Sequence, residues 1–150
     1  MGTIGTSMVS NGNKTSLNII VVGAGIAGLA TATALLNGKH HHVTVLECHP
    51  SLNEFGASIG ILPQGVRCLR SLGLADEFAK VVTRNKHLKF RNGLTNEVMG
   101  HLPHNAGKWS GTGYGEEVWN INQEDYQNVL ADAARVHGAN IVFGVEIERI

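Results

Sequence analysis

Neither sign of charge prevails in this sequence: 12 lysines and arginines stand against 12 aspartates and glutamates, a formal net charge of zero. The isoelectric point is near neutrality, and the basic residues are scattered. A nucleic acid or an anionic membrane surface therefore has no electrostatic claim on the chain, and neither is expected as a partner. Long hydrophobic runs are missing too. The most apolar stretch, 19–36, is broken by Gly23, Gly25 and Gly28 and carries Thr31 and Thr33, so it falls short of the roughly 18 to 20 apolar residues of a membrane span. The first sixteen residues, rich in Gly, Ser, Thr and Asn, lack the basic start and apolar centre of a secretory signal and read as a flexible leader. Cysteine is sparse. Cys48 and Cys68 are expected to be reduced, packed thiols in a cytoplasmic protein.

What is present suits one soluble domain, since 150 residues with 43% hydrophobic and 16% charged side chains can bury a core. The chain is organised around Ile19-Ile20-Val21-Val22-Gly23-Ala24-Gly25-Ile26-Ala27-Gly28, an apolar run that breaks into a glycine turn. A strand over 17–22, buried on both faces as in a parallel sheet, is expected to enter that turn. A helix of small and apolar residues follows to Leu36, with Asn37-Gly38 as its stop. Val43 to Leu46 reads as the second strand, with Glu47 at its end, nineteen residues past Gly28. Together these make a dinucleotide-binding βαβ unit. Gly23 allows the tight turn, Gly25 lets backbone approach a pyrophosphate, and Gly28 lets helix and strand pack closely. The helix N-terminus supplies an anion site without a basic side chain. Glu47 is expected to accept hydrogen bonds from an adenosine ribose, which disfavours a 2′-phosphate and leaves NAD or FAD as the ligand. Between helix and strand, Lys39-His40-His41-His42 has no acidic or cysteine partner nearby, so it reads as a solvated loop, and no metal is expected.

Downstream, Phe55-Gly56-Ala57-Ser58-Ile59-Gly60 is a second small-residue stretch, which taken alone serves equally as a bed for a flat ligand or as a crowded turn. Val66, Leu69 and Leu72 have helical spacing, closed by Gly73, and a second short helix is expected over 75–82. Runs at 86–90 and 97–102 around Asn92-Gly93 fit a small β meander. An irregular loop follows over 101–115, holding His101, His104, Trp109 and Tyr114. A strand at 118–121 leads to a helix over 123–135 with Tyr126, Val129, Leu130 and Ala133 on one face, ended by Gly138. A last strand is expected to run from Ile141 to the final residue.

Taken in this order, the segments resemble the FAD-dependent aromatic-ring monooxygenases of the para-hydroxybenzoate and salicylate hydroxylase type, especially fungal members of natural-product pathways. The resemblance rests on Val22 to Ala32, Val45-Leu46-Glu47, Gly56 to Pro63, Leu69 to Leu74, and Asn122-Gln123-Glu124-Asp125-Tyr126 at the head of a helix. It implies a Rossmann-like α/β fold, an incomplete FAD domain of the glutathione reductase type in which 17–150 forms the N-terminal part. It implies FAD as cofactor and NADH or NADPH as electron donor, with oxygen delivered to a small aromatic-type substrate. Carried over by position, Gly23, Gly25 and Gly28 hold the pyrophosphate, Glu47 the ribose, and Ser58 and Gly60 lie along the flavin end. Two positions depart from the family pattern: Gln64 stands where Asn is usual and Gln123 where Arg is usual. Gln123 can hydrogen-bond to FAD but brings no charge, so weaker flavin retention is expected. No catalytic residue is assigned, because the cofactor carries the hard chemistry. The later Gly-Asp segment of the family is not in this sequence. An NAD-dependent dehydrogenase domain would share Gly23 to Glu47 but predicts neither the 56–60 stretch nor the meander. A non-catalytic nucleotide-binding remnant is the other alternative.

Overall fold

The computed structural model describes residues 15–38, 40–52, 57–84, 87–103 and 118–149. Phe55, Gly56, His104, Trp109, Tyr114 and most of the N-terminal leader lie outside the described residues. In chain order the elements are β1 (Asn18–Val22), α1 (Ile26–Leu36), β2 (His42–Glu47), β3 (Ser58–Ile61), α2 (Pro63–Ser71), α3 (Ala75–Ala79), β4 (Thr83–Arg84), β5 (His87–Arg91), β6 (Val98–Pro103), β7 (Trp119–Asn122), α4 (Gln123–Val136) and β8 (Asn140–Phe143).

β1, α1 and β2 form the expected βαβ unit. β1 and β2 pair in parallel with Val21 opposite Val45 and Val22 opposite Leu46, and β8 joins the far side of β2, also in parallel. The small side chains of α1 let it lie close to this sheet, and it packs against α4 as well. Leu29, Ala32 and Leu36 of α1, Val43 and Val45 of β2, and Leu130, Ala131 and Ala134 of α4 share one core. Each Leu or Val fully buried there is worth about 1.5–3 kcal/mol. Thr33 is also buried, and its hydroxyl donates to the Leu29 carbonyl at 2.9 Å, which meets its polar need inside the helix.

A second sheet, in the order β3-β7-β4, is antiparallel, with Gly60 opposite Asn120. The second small-residue stretch is thus a strand rather than a turn from Ser58 onward. α2 and α4 both end in the same way. After α2, Gly73 donates to the Arg70 carbonyl and Leu74 to that of Leu69; after α4, Gly138 donates to Arg135 and Ala139 to Ala134. These are Schellman closures, and the positive φ of Gly73 and Gly138 is what they require.

Several expectations are corrected. β1 is not buried on both faces: Ile19 and Val21 pack on the core, while Ile20 and Val22 are 65% and 58% exposed. A strand face is covered only where another element lies, and among the described residues α1 packs on one face of β1 and β2. The second short helix stops at Ala79, and Thr83–Arg84 then pairs with β7. The meander is a two-stranded hairpin, β5 against β6, with His101 inside it rather than in a loop. β8 ends at Phe143 because Gly144, at φ 70°, turns the chain. α4 is rotated from the expected face: Gln127, Leu130, Ala131 and Ala134 are buried, and Tyr126, Val129 and Ala133 flank them. Cys48 and Cys68 are free but exposed, not packed.

Candidate functional site

The polypeptide leaves β1 at Gly23, whose φ of 94° only glycine adopts without strain, and whose N–H donates to the Leu46 carbonyl of β2 at 2.7 Å. That bond ties the turn to the tip of the neighbouring strand. Gly28, one turn into α1, faces back to the same point: a Cβ there would overlap the Gly23 carbonyl oxygen. A Cβ on Gly25 would meet nothing within 4 Å. The three glycines thus do three different things: one makes the turn, one keeps the approach to the helix open, one allows the close packing that holds turn and helix together.

α1 starts with Gly25 as its N-cap, no side chain caps it, and no acidic side chain sits in its first turn. Its leading N–H groups and the positive end of the helix dipole are therefore available to an anion from outside the helix. This geometry fits a pyrophosphate.

Glu47 closes the site from β2. Its side chain is 12% exposed. One carboxylate oxygen, Oε2, accepts from the Ala24 N–H at 2.6 Å; the other, Oε1, accepts from the His49 N–H at 3.0 Å and lies 2.8 Å from His49 Nδ1. The backbone N–H of His49, above all, pulls the carboxyl pKa down from 4.5 to about 2, with the Ala24 N–H helping against the cost of burial. Glu47 is an ionised acceptor fixed on the glycine turn itself. The same carboxylate, through its hydrogen bond to the thiol, pushes the Cys48 pKa up.

A shallow, open hollow of about 420 Å³ lies between the start of α1 and the second sheet. Ile26, the first residue of α1, lines it together with Ile59, Gly60 and Ile61 of β3, Gln64 of α2 and Tyr126 of α4. Tyr126 packs edge-on to Phe78 at 4.8 Å, and its burial raises its hydroxyl pKa. The structure therefore brings Gly23, Gly25, Gly28 and Glu47 into one place, and Gly60 into a hollow bordered by Ile26. Ser58 and Gln123 sit together elsewhere, at the β3–β7 junction: Ser58 is opposite Asn122, and the Gln123 N–H donates to the Ala57 carbonyl at 3.2 Å. Neither lines the cavity. Sequence reading missed Tyr126 and His49 as neighbours of the site. Tyr126 was legible as part of a helix face and of a segment that carries the family resemblance, not as a neighbour of the turn.

Comparison with known proteins matches residues 16–150 to the family described as FAD binding domain. The FAD-dependent monooxygenase OpS4 of Beauveria bassiana is 31% identical over 138 residues, 89% of this chain and 31% of that protein. The 3-amino-4-hydroxybenzoate 2-monooxygenase of Streptomyces cremeus is 34% identical over 114 residues, 76% of this chain and 28% of that protein. The chain spans about a third of the length of these curated relatives. Among solved structures, p-nitrophenol 4-monooxygenase from Pseudomonas putida superposes with a TM-score of 0.74 at 20% identity, covering 87% of this chain and 33% of that one. HpxO of Klebsiella pneumoniae, complexed with FAD, gives 0.72 at 23% identity, over 91% and 32%. At such identities these two likenesses speak for the fold.

Proposed function

Because this chain belongs to the FAD-binding domain family, we propose that its glycine turn and Glu47 hold the ADP half of FAD in an NAD(P)H- and oxygen-dependent monooxygenase. The observation that carries this reading is the pairing of an uncapped α1 N-terminus with an ionised Glu47 held on the Ala24 N–H. Phosphate oxygens take the N–H groups at the start of α1, in the open space before Gly25. Glu47 accepts from the ribose hydroxyls through Oε1, exchanging its bonds to His49 for them while Oε2 stays on Ala24. A 2′-phosphate would meet that carboxylate, which is why NADP is refused at this point.

The cavity between Ile26, Gly60 and Tyr126 takes the far half of the dinucleotide. When bound, the flavin supplies the redox chemistry; these residues hold it, orient it and keep water from its apolar side. The substrate is a small aromatic-type molecule, of the class named in the relatives' activities, and the protein works in the cytoplasm. No helix among the described residues is long and apolar enough to cross a membrane. Purified protein tests the reading: flavin bands in its visible spectrum after FAD is added and excess removed support it. Colourless protein that binds NADH overturns it in favour of a dehydrogenase-type domain.

A further inference from the structure

The bend after β2 assembles three different metal-binding groups that the histidine tract at 40–42 does not supply. Glu47 Oε1, Cys48 Sγ and His49 Nδ1 lie close together. The separations are 3.3 Å from sulfur to oxygen, 3.5 Å from sulfur to nitrogen and 2.8 Å from nitrogen to oxygen. One face of a zinc tetrahedron has edges of about 3.3–3.7 Å when Zn–S is about 2.3 Å and Zn–N and Zn–O are about 2.0–2.2 Å. The sulfur–nitrogen edge already matches, the sulfur–oxygen edge is about 0.2–0.3 Å short of the roughly 3.5–3.7 Å an edge to sulfur needs, and the nitrogen–oxygen edge needs an opening of about half an ångström, the replacement of a hydrogen bond by two bonds to an ion.

We propose that Glu47, Cys48 and His49 form a three-ligand site for Zn²⁺, with water in the fourth position. The carboxylate is oriented for it from behind, since the Ala24 N–H holds Oε2 at 2.6 Å and leaves Oε1 toward the other two ligands. Thiolate, imidazole and carboxylate together suit zinc rather than magnesium or calcium, which take oxygen sets. His49 and Cys48 are exposed, so an ion reaches them without unfolding. Binding forms the Zn–S, Zn–N and Zn–O bonds in place of bonds from the ion to water, breaks the S–H bond of Cys48 and releases that proton to solvent, and shifts the His49 proton from Nδ1 to Nε2, with no change of oxidation state. Shared use of Glu47 makes zinc and a dinucleotide mutually exclusive, a consequence that rests on the ribose role proposed for Glu47. The metal site itself is tested without nucleotide, so the two stand or fall separately.

Cobalt(II), which adopts the same tetrahedral geometry and reports a thiolate ligand by a charge-transfer band in the near ultraviolet, is titrated into the reduced chain, and zinc is then added to displace it. One cobalt per chain is expected, with the band lost in Cys48→Ser and affinity reduced at least about tenfold in His49→Ala and Glu47→Gln. Cys68→Ser and the His40→Ala/His42→Ala pair should bind as the parent does, and circular dichroism checks that each variant is folded. No band, a band that survives Cys48→Ser, a band lost in Cys68→Ser, or two chains per cobalt would each overturn the site.

Discussion

Glu47 shows how one side chain can be legible in sequence and still hold something back. Its position at the end of a strand after a glycine turn is the ground on which a ribose role is proposed for it. Its second set of partners, the His49 backbone and ring, exists only because the chain bends back at 48–50. The acidity of this group makes a pH prediction with a definite sign. Its folded-state pKa, about 2 against an ordinary 4.5, is depressed, so the hydrogen-bonded carboxylate contributes its full stability above about pH 5 and loses it as pH falls toward about 2. Urea unfolding of the parent and Glu47→Gln should therefore differ by a constant amount near neutrality and converge in acid; a gap that widens in acid would contradict this. Gly28→Ala makes a second prediction at the same scale. The new Cβ has nowhere to go but into the Gly23 carbonyl, so overpacking should cost about 1–3 kcal/mol in chemical denaturation.

Among the elements, β1, α1 and β2 were readable because the turn glycines punctuate a run whose apolar pattern changes period at Gly23. The stop signals at Gly73 and Gly138 were readable because a Schellman closure needs a particular backbone angle. β3 was not, since its alternation of Ile59 and Ile61 with Ser58 and Gly60 spans only four residues, and pairing with β7 is what makes it a strand. The bare face of β1 was equally hidden: a β-branched run looks the same whether one face or both are covered. The junction of α3 and α4 gives the element-scale prediction. Phe78 is fully buried and meets Tyr126 edge-on, so Phe78→Ala should cost about 3–5 kcal/mol and lower the denaturant midpoint accordingly. Ile20→Thr, on the exposed face of β1, should stay within about 0.5 kcal/mol.

For the molecule as a whole, the described residues divide into a parallel sheet that carries the dinucleotide turn, an antiparallel sheet that brings Gly60 toward it, and a hairpin whose apolar residues are largely exposed. The first two meet at α1, α4 and the cavity between Ile26 and Tyr126, and this junction is what a flavin-binding role asks of the fold. The membership in the FAD-binding family and the open, uncapped N-terminus of α1 agree. The most direct measurement is FAD affinity by flavin fluorescence, for the parent chain and for Glu47→Ala, with ADP as competitor. Removing a charged acceptor of ribose hydrogen bonds worth about 1.5–3 kcal/mol should weaken FAD at least about tenfold and weaken ADP in parallel. FAD binding unchanged by Glu47→Ala, or not displaced by ADP, would contradict the assignment of the glycine turn and Glu47 to the ADP half of the cofactor.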